Sequence, residues 1–146
     1  SGNGMAATAL LRLGRICGRA DLEERAERTL AALSGQLARI PMAGGQSLVA
    51  VDFLLGPAEE IVIVDGDDQS ESERLLSLLR RRFRPNSLVL RRTADDRSET
   101  LSPAVAPLLE GKAPRDGRVT VYVCERGTCA EPLVGFDAAA AALTKT

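Results

Sequence analysis

Four consecutive β-branched residues, Ile61-Val62-Ile63-Val64, constrain this chain more than anything else in it. An unalternated apolar run of this kind belongs to a strand buried on both faces. The sequence on either side must therefore supply neighbours and cover. On the C-terminal side, helices and strands alternate. Ser70 with Glu73 opens a helix carrying Leu75, Leu76, Leu79 and Phe83. Pro85-Asn86 turns the chain, and Leu88-Val89-Leu90 gives a second short strand. The stretch 93–100 is polar and reads as a loop. Pro103 opens a short helix through Leu109, ended by Gly111. Val119 to Val123 is a third strand, and Phe136 to Leu143 a last Ala-rich helix with Asp137 at its start. Strands alternating with helices predict a small three-stranded parallel α/β domain with right-handed crossovers.

Before Gly56-Pro57 the pattern has helical period throughout. Met5, Ala9, Leu13 and Ile16 fall on one face, and Gly18 ends that helix by accepting positive φ. Asp21 with Glu24 resembles a capping box for a second helix. Its stripe is Leu22, Ala26, Leu30, Leu33, Leu37 and Ile40. A third helix spans about Gln46 to Leu55, with Leu48, Val51 and Leu55 expected to face inward. The boundary expected is therefore a helical segment over 1–57 and an α/β domain over 58–146.

Several classes of chemistry are excluded by composition. The 146 residues contain no histidine, so neither a Ser-His-Asp triad nor a Cys-His pair can be assembled from them. A formal net charge of −1 gives no basic excess for nucleic acid, and aromatics at 3% leave few rings to stack on bases. No apolar run approaches the roughly 20 residues that span a membrane. No nucleic-acid partner, membrane partner or cofactor is expected.

Three motifs remain. Asp65-Gly66-Asp67-Asp68 comes directly after the first strand, at the sheet edge where open α/β folds bind ligands. Asp65 and Asp67 are candidate Mg²⁺ ligands, resembling the Asp-x-Asp of haloacid-dehalogenase-like phosphotransferases. Gln69 stands where that motif has Thr or Val, and the bland alternative is acidic residues favoured at a helix start. Arg80-Arg81-Arg82, Arg84 and Arg91-Arg92 form a basic run, equally explained as cations at a helix C-terminus. Cys124 and Cys129 flank four residues that include Gly127. They are redox candidates, able to form a disulfide or half of a soft-metal site, against the alternative of buried, unreactive cysteine.

Longer segments carry a resemblance. Ser1-Gly2-Asn3-Gly4-Met5-Ala6-Ala7 with Leu10-Leu11-Arg12-Leu13 resembles an "SGNS-x-AA…LLRL" helix. Ala50 to Pro57 with Glu60 to Val64 after it resembles an "ALDFLLGP…EIVIVG" junction. Leu108 to Lys112 and Val121 to Cys124, with Thr128-Cys129 and Pro132, resemble "LLEGK" and "AYVCEN-x-TC-x-xP". These motifs, in this order, are similar to those of the thioredoxin-domain-containing proteins related to spermatogenesis-associated protein 20. The resemblance implies a larger cytoplasmic parent with a thioredoxin-like domain and a six-hairpin α/α toroid of the sugar-epimerase and glycosidase type. The chain would be its C-terminal region, holding the toroid's last helices and an α/β appendix. It would be non-catalytic by itself, with the parent's other domains or a second copy as partner. The enzyme-class alternatives are a dithiol role for Cys124 and Cys129, exchanging with the parent's thioredoxin-like domain, or a Mg²⁺ site at Asp65 and Asp67. Two departures stand out: Gly4 replaces the usual Ser, and Asp65-Gly66-Asp67 replaces the usual Gly after the first strand.

Overall fold

A computed structural model describes residues 2–93, 96 and 102–144 of the chain. They divide into two compact units, Ser1–Ala58 and Glu59–Thr146.

The first unit is helical: α1 (Gly2–Cys17), α2 (Ala20–Arg39), a 3-10 turn at Pro41–Gly44, and α3 (Gly45–Leu55). Gly18 ends α1 at φ 61°, and the Arg19 N–H reaches back to the Gly14 carbonyl at 2.8 Å. That six-to-one bond is the Schellman closure. The expected cap of α2 is not formed. Asp21 lies inside the first turn, where its carboxylate accepts from Arg19 at 2.6 and 2.7 Å. The α2 stripe is placed as expected at its centre, with Ala26 and Leu30 buried.

The inward faces of α1 and α3 differ from expectation. On α1 the buried residues are Gly4, Ala7, Leu11 and Gly14, while Met5 is 65% and Leu13 49% exposed. On α3 they are Ser47, Ala50 and Phe53, and Leu55 is 72% exposed. Small residues win the inner face because they let helix backbones approach. A Cβ built on Gly4 would lie 2.8 Å from the Ser47 backbone N, and one on Gly14 2.6 Å from Glu23 Cγ. Phe53 fills the space so defined, with the Arg12 and Arg15 guanidinia 5.2 and 5.9 Å from its ring centroid. Arg15 also pairs with Glu23 at 2.9 Å.

The second unit holds β1 (Glu59–Val64), α4 (Gln69–Arg80), β2 (Ser87–Arg92), α5 (Ala106–Leu109), β3 (Thr120–Glu125), β4 (Thr128–Cys129), β5 (Leu133–Val134) and α6 (Phe136–Thr144). The α/β class holds, and β1 is buried on both faces as its composition requires. The helix after β1 is capped by Asp68, not Ser70, and Phe83 lies beyond it, 92% exposed. The polar loop expected over 93–100 falls largely outside the described residues.

The sheet is mixed rather than parallel, with order β2-β1-β3-β4 and β5 also on β3. β2 is parallel to β1, pairing Ile61 with Val89. β3 is antiparallel to it, pairing Ile61 with Val123 and Ile63 with Val121. The reason lies in the connection. Among the described residues between β2 and β3, the one helix is the four-residue α5. The chain then turns through Asp116-Gly117, both at positive φ (54° and 67°), between the bridged residues Arg115 and Arg118. This turn sits beside the exit of β1: Asp67 N–H donates to Gly117 O at 2.7 Å. A Cβ on Gly66 would lie 2.5 Å from the backbone of this segment. The chain therefore enters β3 at the end where β1 leaves, and must run backwards.

Side-chain alternation then splits the core. Ile61, Ile63, Val119 and Val121 face α4 and α6, meeting Leu75, Leu79, Ala139 and Leu143. Val62, Val64, Tyr122 and Cys124 face the other way, onto Leu109 of α5.

The close approach at Gly4 gives a direct test. Gly4→Ser, although the motif resemblance expects Ser there, is predicted to destabilise the helical unit by about 1–3 kcal/mol through overpacking. The check is the denaturant midpoint of the full chain, monitored by helical circular dichroism.

Candidate functional site

Asp65 ends β1 as a buried residue, 3% exposed. A carboxylate there needs a partner, because burial of an unpaired charge is costly. Arg91 on the neighbouring strand supplies it. The Arg91 Nε and Nη2 donate to the Asp65 Oδ1 and Oδ2, both at 2.8 Å. The register places Arg91 opposite Ile63, and the Asp65 N–H also bonds to Arg92 O at 2.9 Å. Donation to the Asp65 carboxylate, with burial opposing, raises the Arg91 pKa further above its usual value. The pair locks the end of β1 to β2. It also uses both oxygens that a Mg²⁺ ion would require.

Asp67, by contrast, is exposed and sits against Gly117. Among the described residues, no group of three or more Cys, Asp or Glu side chains is arranged to hold a metal. Asp68 caps α4 by accepting from the Ser70 N–H at 2.9 Å. Hydrogen bonds from Ser70, side chain first and backbone second, hold its pKa below the ordinary carboxylate value. The acidic loop thus breaks into three separate structural tasks.

The basic run is dispersed in the same way. Arg84 donates to Glu59 Oε2 at 3.1 Å and to Leu143 O at 2.5 Å, joining β1 to α6. Arg92 donates to the carbonyl of Lys112, and to Leu109 O at 3.5 Å. Arg84, Arg91 and Arg92 are therefore engaged within the fold.

Cys124 and Cys129 are brought together. They oppose each other on β3 and β4 with Cα atoms 3.9 Å apart, joined by a disulfide. The turn between them has Arg126 at φ 49° and Gly127 at φ 80°, the positive values a two-residue hairpin loop needs. Because Ala130 N–H bonds to Val123 O at 3.0 Å, Cys124 and Cys129 occupy the non-hydrogen-bonded pair of the hairpin, where side chains stand closest. Cys124 is 3% exposed and packs with Val62, Val64, Leu109 and Tyr122. Cys129 is exposed, at the rim. Cys17, half-buried on α1, is a free thiol.

This face of the sheet gathers segments far apart in sequence. Arg92 grips the Leu109–Lys112 turn, and the Tyr122 hydroxyl donates to Ala113 O at 2.8 Å. In the sequence Arg91 and Arg92 read as members of a basic run and Tyr122 as part of a strand motif; the contacts by which they fasten these segments are not legible there. The signal available was the Tyr within an otherwise aliphatic strand. A surface groove beside α4 and α6 is lined by Ser70, Glu73, Arg74, Ser77 and Phe136. Arg74 lies over the Phe136 ring there, 3.8 Å from its centroid, which accounts for both residues.

This geometry is testable at two residues. Arg91→Leu leaves the buried Asp65 without its cation and is expected to cost about 2–4 kcal/mol, at the lower side of buried-pair losses because Arg91 is partly exposed. The denaturant midpoint of the second unit measures it. For Asp68 the folded-state pKa is depressed, so its contribution is present above the unfolded carboxylate value and lost as pH falls through the folded one. Asp68→Ala should lower the unfolding midpoint at pH 7, and the gap from the parent should close in acid.

Among known proteins, the chain is 26% identical over 133 residues to spermatogenesis-associated protein 20 of Rattus norvegicus. It is 25% identical over the same length to the proteins of that name from Homo sapiens and Mus musculus. No protein-family model matches the chain, and no solved structure matches it. The match takes in 91% of this chain but 17% of each relative. The resemblance carried by the sequence motifs is therefore borne out: over nearly its whole length the chain is similar to a region of the spermatogenesis-associated protein 20 family.

Proposed function

We propose that this chain is the non-catalytic C-terminal region of a larger protein of thioredoxin-domain-containing, sugar-epimerase-like organisation. The observation that carries this reading is the use of its charged motifs inside the fold: Asp65, Arg84, Arg91 and Arg92 each make bonds that hold elements together. The similarity to proteins of which the chain matches 17% supports a place within a longer architecture. So does the helical unit. Met5, Leu13, Leu55 and Met42 (94% exposed) leave apolar surface on helices whose inner faces are already filled by small residues and Phe53. Such faces suit further helices of an α/α toroid, or a second copy of the chain. The α/β unit then serves stability, assembly or access to a pocket elsewhere in the parent.

A second reading is favoured by one observation. The disulfide between Cys124 and Cys129 supports a redox role for that pair.

The exposed apolar residues make the first reading testable. Met5→Glu with Leu13→Glu is expected to leave the unfolding midpoint of the isolated chain within about 0.5 kcal/mol, as surface substitutions do. In the longer protein the same pair should lower stability by several times that amount. Equal, negligible effects in both settings would contradict the assignment. So would specific turnover of a sugar or phosphoester substrate by the isolated chain.

A further inference from the structure

We infer that the Cys124–Cys129 bond is a directional thiol-exchange site that accepts an electron pair from a dithiol, with Cys129 the attacked sulfur. This deepens the redox reading of the pair and rests on it.

Direction comes from burial. Cys129 is exposed on a two-residue strand at the rim of the sheet. Cys124 is buried beside Val62, Tyr122 and Leu109. An incoming thiolate must lie in line with the bond it breaks, and access decides which sulfur it meets. It reaches Cys129. A new sulfur–sulfur bond forms there, the Cys124–Cys129 bond breaks, and its electron pair leaves on the Cys124 sulfur. The Cys124 thiolate so released exchanges its proton with solvent, and its thiolate form remains able to attack.

The partner's chemistry comes from the hairpin. Cys124 and Cys129 are opposed with Cα atoms 3.9 Å apart, on a hairpin closed by the turn at Arg126-Gly127 and the Ala130–Val123 hydrogen bond. After attack by a monothiol, Cys124 faces the mixed disulfide at very high effective concentration. It attacks Cys129, expels the monothiol and restores the original bond. A dithiol escapes this return. Its second thiolate attacks its own sulfur in the mixed disulfide and releases Cys129 as a thiolate that is then protonated. The dithiol is oxidised to a disulfide, and Cys124 and Cys129 are reduced to thiols. β3 is also paired with β1 along its length by backbone contacts that do not involve the bond.

The test uses the full oxidised chain with Cys17→Ser. It is exposed to dithiothreitol or to reduced glutathione at pH 8, alkylated, and mapped by mass spectrometry. Dithiothreitol should reduce the pair with native circular dichroism retained, and glutathione should leave it mostly oxidised. Single variants then report direction. Cys129 in Cys124→Ser should react with oxidised glutathione at least about tenfold faster than Cys124 in Cys129→Ser. Equal reduction by both reagents, or equal reactivity of the two cysteines, overturns the inference and leaves the redox reading standing. A bond that neither reagent reduces in the folded chain sinks both.

Discussion

β1 is the constraint on which the second unit depends. Ile61, Val62 and Ile63 are fully buried, so the strand needs a partner along each edge and cover on each face. β2 supplies one edge in parallel and β3 the other in antiparallel. α4 and α6 cover one face, and among the described residues Leu109 of α5 and Val105 pack on the other. Each fully buried aliphatic side chain is worth about 1.5–3 kcal/mol, which makes this strand the largest single stabilising element of the unit. The buried Asp65–Arg91 pair closes its end and fixes the register against β2.

The helical unit obeys a different rule. Its interior is set by how closely helix backbones approach, with Gly4 and Gly14 at the contacts and Phe53 as filler. Met5 and Leu13 on α1 and Leu55 on α3 lie outward, while Leu11, Leu30 and Phe53 stay inside. This is the reverse of an ordinary amphipathic surface helix. It leaves the unit with apolar surface of the sort that further helices cover.

Legibility tracks the range of the determining interaction. β1, α4 and β2 can be read because hydrophobic period and turn residues lie within a few positions. The disulfide partners are readable as candidates, being five residues apart across a glycine turn. The direction of β3 is not. Alternating strands and helices suggest a crossover, but the Asp116-Gly117 turn beside the exit of β1 decides it. The inner faces of α1 and α3 escape a reading based on bulk, because at close helix contacts smallness marks the core. The loss of Asp65 to Arg91 is invisible in sequence, since the two are 26 positions apart and only strand register joins them.

The antiparallel pairing of β1 with β3 gives β1 its second edge and places Val119 and Val121 in one core with Ile61 and Ile63. Proton nuclear Overhauser contacts between backbone Hα atoms test it most directly. Antiparallel register predicts strong contacts for Ile61 with Val123 and for Ile63 with Val121. Their absence, with the regular slanted amide contacts of a parallel pair in their place, would contradict the account.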